Sequence, residues 1–112
     1  MHNQLKVNIE ELIPQRQPII MVDTILAHGE KQITSCFFIK PENIFVENGC
    51  FTESGLLENI AQTAASKVGL VAKSKNERIP LGFIGAITKV LVHAFPKVGE
   101  TIKTEVVILQ EV

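Results

Sequence analysis

The chain has 112 residues, a formal net charge of −1 and 46% hydrophobic residues. That length fits a single domain, and the balance of apolar and charged residues is typical of a globular protein. The near-neutral charge gives no electrostatic sign of a nucleic-acid partner. No run approaches the roughly 20 apolar residues of a membrane helix, and residues 1–6 lack the apolar core of a signal peptide. We therefore expect a cytoplasmic protein without nucleic-acid or membrane partners.

The cysteine and aromatic residues narrow the possible classes further. Cys36 and Cys50 are too few for a disulfide framework and too sparse for a zinc site, so we expect reduced thiols and no metal ion. There are six Phe but no Trp or Tyr, whereas sugar-binding and base-stacking surfaces usually carry Trp or Tyr. This composition suits contact with hydrocarbon, although a Phe-filled core would explain it equally.

The first predicted elements are a short helical turn and a β-hairpin. Asn8 is placed to cap a turn over residues 8–12. Two runs of apolar and β-branched residues, 19–26 and 32–40, flank a turn that contains Gly29. Two such runs around a glycine-containing turn predict two paired strands.

Residues 52 to about 75 are the one long helix candidate, because their apolar side chains recur at helical spacing. We expect this apolar stripe to pack against a sheet, with its small residues allowing close approach. The stripe consists of Leu57, Ile60, Ala61, Ala64, Ala65, Val68 and Val71, and it is widened by Leu56, Gly69 and Leu70.

Strand-like segments follow the helix. Residues 79–95 predict a long strand whose glycines, Gly82 and Gly85, indicate a bulge, a bend or close approach of another group. Residues 96–99 predict a turn, and residues 100–110 a last strand. The order of turn, hairpin, helix and further strands predicts an α+β fold with one antiparallel sheet around one helix.

Four segments form an ordered set of motifs. They are Ile-Pro-Gln-Arg-Gln-Pro with Met-Val-Asp (13–18 and 21–23), Leu-Leu-Glu-Asn-Ile-Ala-Gln (56–62), Phe-Ile-Gly-Ala-Ile (83–87) and Pro-Lys-Val-Gly-Glu (96–100). The set resembles the motifs of the hotdog-fold β-hydroxyacyl-acyl-carrier-protein dehydratases. Their counterparts are Leu-Pro-His-Arg-x-Pro with Leu-Val-Asp, Glu-x-x-Ala-Gln on the central helix, Phe-Ala-Gly-Ile and Pro-Gly-Asp. The resemblance covers nearly the whole chain and implies a single hotdog domain over residues 1–112.

The resemblance also implies how such a protein works. The family's unit is a dimer, and acyl chains on the phosphopantetheine arm of an acyl carrier protein enter a tunnel at the subunit interface. The protein needs no cofactor of its own. A His from a Gly-His-Phe-Pro loop and a carboxylate from the helix face each other across the interface. In this sequence Glu58 takes the carboxylate position.

Dehydration of a 3-hydroxyacyl thioester needs a base for the C2 proton, an acid for the departing hydroxyl, and donors for the thioester oxygen. Glu58 is the candidate acid, since burial would favour its neutral form; the alternative is an exposed helix glutamate. Amides near Gly55 could hold the thioester oxygen, or Gly55 could simply allow close packing. Gln62 could bind Glu58 or substrate, or be a satisfied buried amide. The resemblance adds Phe83 and Gly85 as substrate-binding residues.

The sequence departs from the family at the His loop and at the end of the chain. Gly-His-Phe-Pro falls on Gly49, Cys50, Phe51 and Thr52, so Cys50 replaces the His. A thiol ordinarily titrates above about pH 8 and is not an equivalent base. We expect Cys50 to be an inert thiol, with residues 49–51 lining the substrate site. Family members also continue past the last strand, so we expect a missing strand or an edge covered by another chain.

Three functions are compatible with these residues. The first is a dehydratase-like lyase in fatty-acid or in aryl-polyene or flexirubin-type biosynthesis, with Glu58 as the acid. The second is a non-catalytic subunit that binds acyl chains or stabilises a partner, which the missing His favours. The third is an acyl thioesterase, against which the Ala61-Gln62 signature argues mildly. We expect a homodimer or higher oligomer, or a heterodimer with a His-bearing hotdog subunit.

Overall fold

The structure, a computed structural model, describes residues 7–74 and 94–108. It confirms an α+β fold with one long helix and an antiparallel sheet. The elements are a 3₁₀ turn at Ile9–Glu11, β1 at Thr24–His28, β2 at Gln32–Phe38, β3 at Val46–Glu47, β4 at Cys50–Phe51, α1 at Glu53–Ser74 and β5 at Thr101–Val107. The predicted strand at 79–95 lies outside the described residues except for its last two.

The main sheet has the order β1-β2-β5, and both pairings are antiparallel. The predicted hairpin is therefore confirmed, and the Gly29 N–H closes its turn by donating to the Gln32 carbonyl at 2.9 Å. The pairing of β1 with β2 shifts register between Ile25 and Ala27. The first strand is shorter than predicted, because it begins at Thr24 and not at residue 19.

The hydrophobic core consists of two clusters. One gathers aliphatic side chains from the N-terminal segment and the hairpin with the end of α1, and its buried members are Ile9, Leu12, Ile13, Ile20, Val22, Ile25, Ile33 and Leu70. The other gathers Met21, Phe37, Ile39 and Phe51, with Leu56 among its partly buried neighbours. The second cluster therefore supports the start of α1.

The helix buries mainly polar and small residues, so the predicted packing of its apolar stripe was wrong for most of its members. Ala61 and Val71 are exposed, six others are only half-buried, and Gly69 and Leu70 alone are buried. The buried residues of α1 are Gly55, Asn59, Gln62, Thr63, Ser66, Lys67, Gly69, Leu70 and Ala72. Polar side chains can be buried at little cost when each finds a hydrogen-bond partner.

The sheet supplies such partners for the polar face. The hydroxyls of Ser35 on β2 and Thr63 lie 2.7 Å apart, and the Thr104 hydroxyl on β5 donates to Asn59 Oδ1 at 2.6 Å. Lys67 Nζ donates to the Gly29 carbonyl at 2.6 Å and so ties the hairpin turn to the helix. These bonds explain why the polar face, and not the aliphatic one, lies against the sheet.

The last turns of α1 contact the N-terminal segment. A Cβ at Gly69 would collide with the Leu12 carbonyl, because the carbonyl carbon is 2.8 Å from that position and the oxygen is closer. Lys73 Nζ lies 3.0 Å from Glu11 Oε2, and this contact lowers the pKa of the Glu11 carboxyl group. Tertiary contacts therefore hold both ends of α1. The cluster around Phe51 supports its start, and the N-terminal segment packs against its last turns.

Candidate functional site

Glu58 lies on α1 about one turn from its start, and it is half-buried. Its Oε1 accepts a hydrogen bond from Gln62 Nε2 at 2.8 Å. The two side chains are four residues apart, which places them on the same face of a helix. Glu58 is therefore not the fully exposed helix glutamate of the alternative interpretation.

Gln62 is held at both ends of its amide group. Its Oε1 accepts from the Met21 backbone N–H at 2.7 Å, and its Nε2 donates to the Ile19 carbonyl at 2.9 Å. A backbone N–H is always a donor, so the oxygen of the amide must point to Met21 and the NH₂ group to Glu58. Gln62 is 1% exposed. It is at once a satisfied buried amide and the partner of Glu58.

The loop that carries Cys50 is a tight hairpin of β3 and β4. Val46 pairs with Phe51 and Glu47 with Cys50, which leaves Asn48 and Gly49 as the two turn residues. Their φ angles are 52° and 77°. Two successive positive φ angles are typical of a type I′ turn, for which Asn-Gly is the favoured sequence. The Asn-Gly pair is a local signal for this hairpin, which the sequence-based predictions did not include.

Backbone contacts fix this hairpin to the turn at residues 96–99. Cys50 forms an isolated bridge with Lys97. The Val98 N–H donates to the Gly49 carbonyl at 2.9 Å, and the Phe51 N–H to the Pro96 carbonyl at 2.7 Å. Cys50 itself is half-buried and lies in the short strand β4, which ends two residues before α1 begins.

Gly55 serves close packing at the start of α1. A Cβ at this position would lie 2.6 Å from Phe51 Cζ and 2.9 Å from Phe45 Cβ. Phe51 is fully buried, and its ring centroid is 5.8 Å from that of Phe37. These contacts account for the glycine, whereas binding of a thioester oxygen by nearby amides stays a prediction.

Two of the predicted substrate-binding residues, Phe83 and Gly85, lie outside the described residues. Within residues 7–74 and 94–108, no three His, Cys, Asp or Glu side chains are grouped so that they could hold a metal ion. In the same part of the chain, no helix has the length and apolar character needed to cross a membrane.

Cys36 should be alkylated more slowly than a free cysteine. Burial of this half-buried thiol, with a further contribution from the charge of Asp23, raises the pKa of Cys36. Only the thiolate reacts, so iodoacetamide at pH 8 should modify Cys36 slowly, and the rate should rise with pH. Mass spectrometry of a Cys50→Ser variant isolates this rate, and a rate equal to that of free cysteine would contradict the prediction.

The family model for ApeP-like proteins, described as ApeP dehydratase, matches residues 7–109. This chain belongs to the ApeP-like dehydratase family. The match includes both the helix with Glu58 and the hairpin with Cys50. The position at which Cys50 replaces the His therefore lies inside the matched region. No curated protein sequence matches this ApeP-like chain.

A solved structure of the dehydratase heterocomplex ApeI:P from Xenorhabdus doucetiae contains a chain with a similar fold. The TM-score is 0.77 at 14% sequence identity, over 96% of this ApeP-like chain and 75% of that chain. At this low identity the likeness concerns the fold, and it confirms the hotdog fold that the sequence motifs implied.

Proposed function

We propose that this ApeP-like chain is one subunit of a dehydratase that acts on 3-hydroxyacyl thioesters carried by an acyl carrier protein. Glu58 is the acid in this proposal. The observation that carries it is the Glu58–Gln62 contact of 2.8 Å, in which a buried and fully oriented amide holds a half-buried carboxyl group. A catalytic acid needs this kind of fixed geometry.

The orientation of Gln62 determines which oxygen of Glu58 carries the proton. Gln62 Nε2 is a donor, so Glu58 Oε1 must accept. In the neutral carboxyl group the proton then lies on Oε2, the oxygen that Gln62 does not occupy. We infer that Oε2 protonates the hydroxyl at C3 of the substrate.

Besides the acid Glu58, the dehydration requires one base. The base takes the C2 proton, the electron pair forms the C2–C3 double bond, and the C3–O bond breaks. The departing hydroxyl receives the Glu58 proton and leaves as water, and a 2-enoyl thioester remains on the carrier protein. Glu58 is left ionised and is reset when the base returns its proton through solvent.

The base is proposed to come from a second hotdog subunit. Cys50 stands where the family has its His, and a thiol is a poor substitute for imidazole as a base near neutral pH. His28 is exposed at the end of β1. The similar structure is itself part of a dehydratase heterocomplex, which supports a heterodimer with a His-bearing subunit over a homodimer.

The second candidate function is a non-catalytic subunit that binds acyl chains or stabilises its partner. The observation that favours it is the hairpin at Asn48 and Gly49, which is short and is fastened to residues 96–99 by backbone hydrogen bonds. This hairpin carries Cys50 in place of the family's His, so it supplies no imidazole base. In this case Glu58 and Gln62 would only stabilise the helix.

The substrate and setting follow from the same proposal. The acyl group would be carried on the phosphopantetheine arm of the carrier protein, and the subunits would need no cofactor of their own. Fatty-acid and aryl-polyene or flexirubin-type biosynthesis in the cytoplasm both supply 3-hydroxyacyl groups in this form.

A dehydration assay with one and two subunits tests the proposal. The purified chain is incubated with a 3-hydroxyacyl-carrier protein, alone and with a His-bearing hotdog protein from the same organism. Mass spectrometry should detect loss of one water from the acyl group only in the mixture. Turnover by the chain alone would contradict the shared site, and release of the free acid would indicate a thioesterase. Inactivity in every pairing would favour the non-catalytic subunit.

A further inference from the structure

We propose that Asn59 and Thr104 are positioning residues for Glu58, through a chain of hydrogen bonds that begins on β5. This inference rests on the proposed function of Glu58. Asn59 occupies a variable position of the helix motif and Thr104 lies outside the motifs, and neither contacts Glu58 through a hydrogen bond of its own.

Met21 is the centre of the chain of bonds. Its N–H donates to Gln62 Oε1 at 2.7 Å, and its carbonyl accepts from Asn59 Nδ2 at 2.7 Å. In a strand these two groups would bind a neighbouring strand. Here two side chains of α1, three residues apart, take the place of that strand, which is why β1 does not extend back to Met21.

Thr104 on β5 completes the hydrogen bonds of Asn59. The Met21 carbonyl can only accept, so the Asn59 amide presents its NH₂ group to it and its Oδ1 to Thr104, whose hydroxyl donates at 2.6 Å. Asn59 and Met21 are each 1% exposed. Hydrogen bonds in such a buried, low-dielectric network reinforce one another.

The bonds therefore form one ordered sequence from the sheet to the carboxyl group. Thr104 holds Asn59 Oδ1, Asn59 holds the carbonyl of Met21, and the N–H of Met21 holds Gln62 Oε1. Gln62 then holds Glu58 Oε1. Removal of the Thr104 hydroxyl leaves the buried Asn59 Oδ1 without this donor, and an unsatisfied buried acceptor costs free energy that a shift of the amide can relieve. The Met21 segment and Gln62 would then lose their fixed positions.

The substitution Thr104→Val tests this sequence, because valine keeps the shape of threonine and lacks the hydroxyl. In the two-subunit assay we expect kcat to fall about tenfold with KM little changed, since misplacement of a catalytic group affects the chemical step. Thr104→Ser keeps the hydroxyl and should restore kcat. An unchanged kcat in Thr104→Val would overturn the proposal.

Ser35→Ala is the matched control. The Ser35 hydroxyl makes a bond of the same kind, at 2.7 Å to Thr63, between the sheet and the same face of α1, but it is not bonded to Met21 or Gln62. Both variants should lower the melting temperature by a similar amount. Only Thr104→Val should lower kcat. Equal losses of kcat in both variants would show that the loss comes from lower stability and not from misplacement of Glu58.

A second readout does not depend on activity. The side-chain amide signals of Gln62 in an NMR spectrum, assigned with a Gln62→Asn variant, should move in Thr104→Val and stay in place in Ser35→Ala. If the Gln62 side-chain amide has the same chemical shifts in Thr104→Val as in the wild type, the positioning role is overturned. Wild-type turnover by Glu58→Gln in the two-subunit dehydration assay would instead overturn the proposed function. The NMR result would still show whether the hydrogen bonds of Thr104 position Gln62.

Discussion

Replacement of Glu58 by Gln should lower dehydration by about a hundredfold or more in the two-subunit mixture, as expected for loss of an acid–base group. Glutamine has nearly the same shape as glutamate, and its side-chain oxygen can still accept the hydrogen bond from Gln62 that Glu58 Oε1 accepts now. What it lacks is the acidic proton on the second oxygen. The variant should therefore fold normally and fail only in the chemical step.

Glu53→Gln is the control for this measurement. Glu53 is the first residue of α1 and is exposed, so its replacement makes the same change of charge on the same helix. The initial rate of enoyl thioester formation should be near wild type for Glu53→Gln, and circular dichroism should give similar melting temperatures for all three proteins. A wild-type rate for Glu58→Gln would show that another residue is the acid.

Replacement of Gly69 by Ala should destabilise the fold by about 2 kcal/mol, the usual cost of overpacking a well-packed site. Alanine in a helix is otherwise about 1 kcal/mol more favourable than glycine. At Gly69 the added methyl group meets the backbone of Leu12, which is fully buried in the core and cannot move as a flexible side chain would. The collision should therefore outweigh the gain in helix propensity.

Urea unfolding followed by circular dichroism measures this effect. Ala61→Gly is the control, because Ala61 is exposed on the same helix and the reverse change should cost about 1 kcal/mol through propensity alone. Both variants are thus expected to lose stability although their substitutions are opposite. An increase in stability for Gly69→Ala would show that α1 does not pack against Leu12.

The positions of the helix and the hairpin could be predicted because local features determine them. Helical spacing of the apolar residues predicted a helix at residues 52 to about 75, and α1 spans Glu53–Ser74. The turn around Gly29 predicted the pairing of β1 with β2. In each case the signal and the structure it predicts lie within a few residues of each other.

The buried face of the helix could not be predicted in the same way, because distant partners determine it. The hydrogen bonds of Thr63, Gln62 and Asn59 join residues 28, 41 and 45 positions apart. Without those partners the aliphatic stripe is the better candidate for burial. The one local signal was a row of small and polar residues at helical spacing, flanked by Gly55 and Gly69.

The candidate site was likewise only partly visible in the sequence. Glu58 and Gln62 were found through a motif, and the structure brings them together. Asn59 was missed because it occupies a variable position of that motif and its partners, Met21 and Thr104, lie far away in the chain. The hairpin before α1 could have been found from Asn48 and Gly49 alone.

The central claim is that this chain supplies Glu58 to a site completed by the His of a second subunit. The most direct measurement is the dehydration rate at constant total subunit concentration while the proportion of the two subunits varies. The rate should be absent for each pure subunit and greatest at equal proportions, because each site needs one of each. A rate that is highest for the pure partner and falls as this chain replaces it would show that the partner holds the complete site, and would contradict the claim.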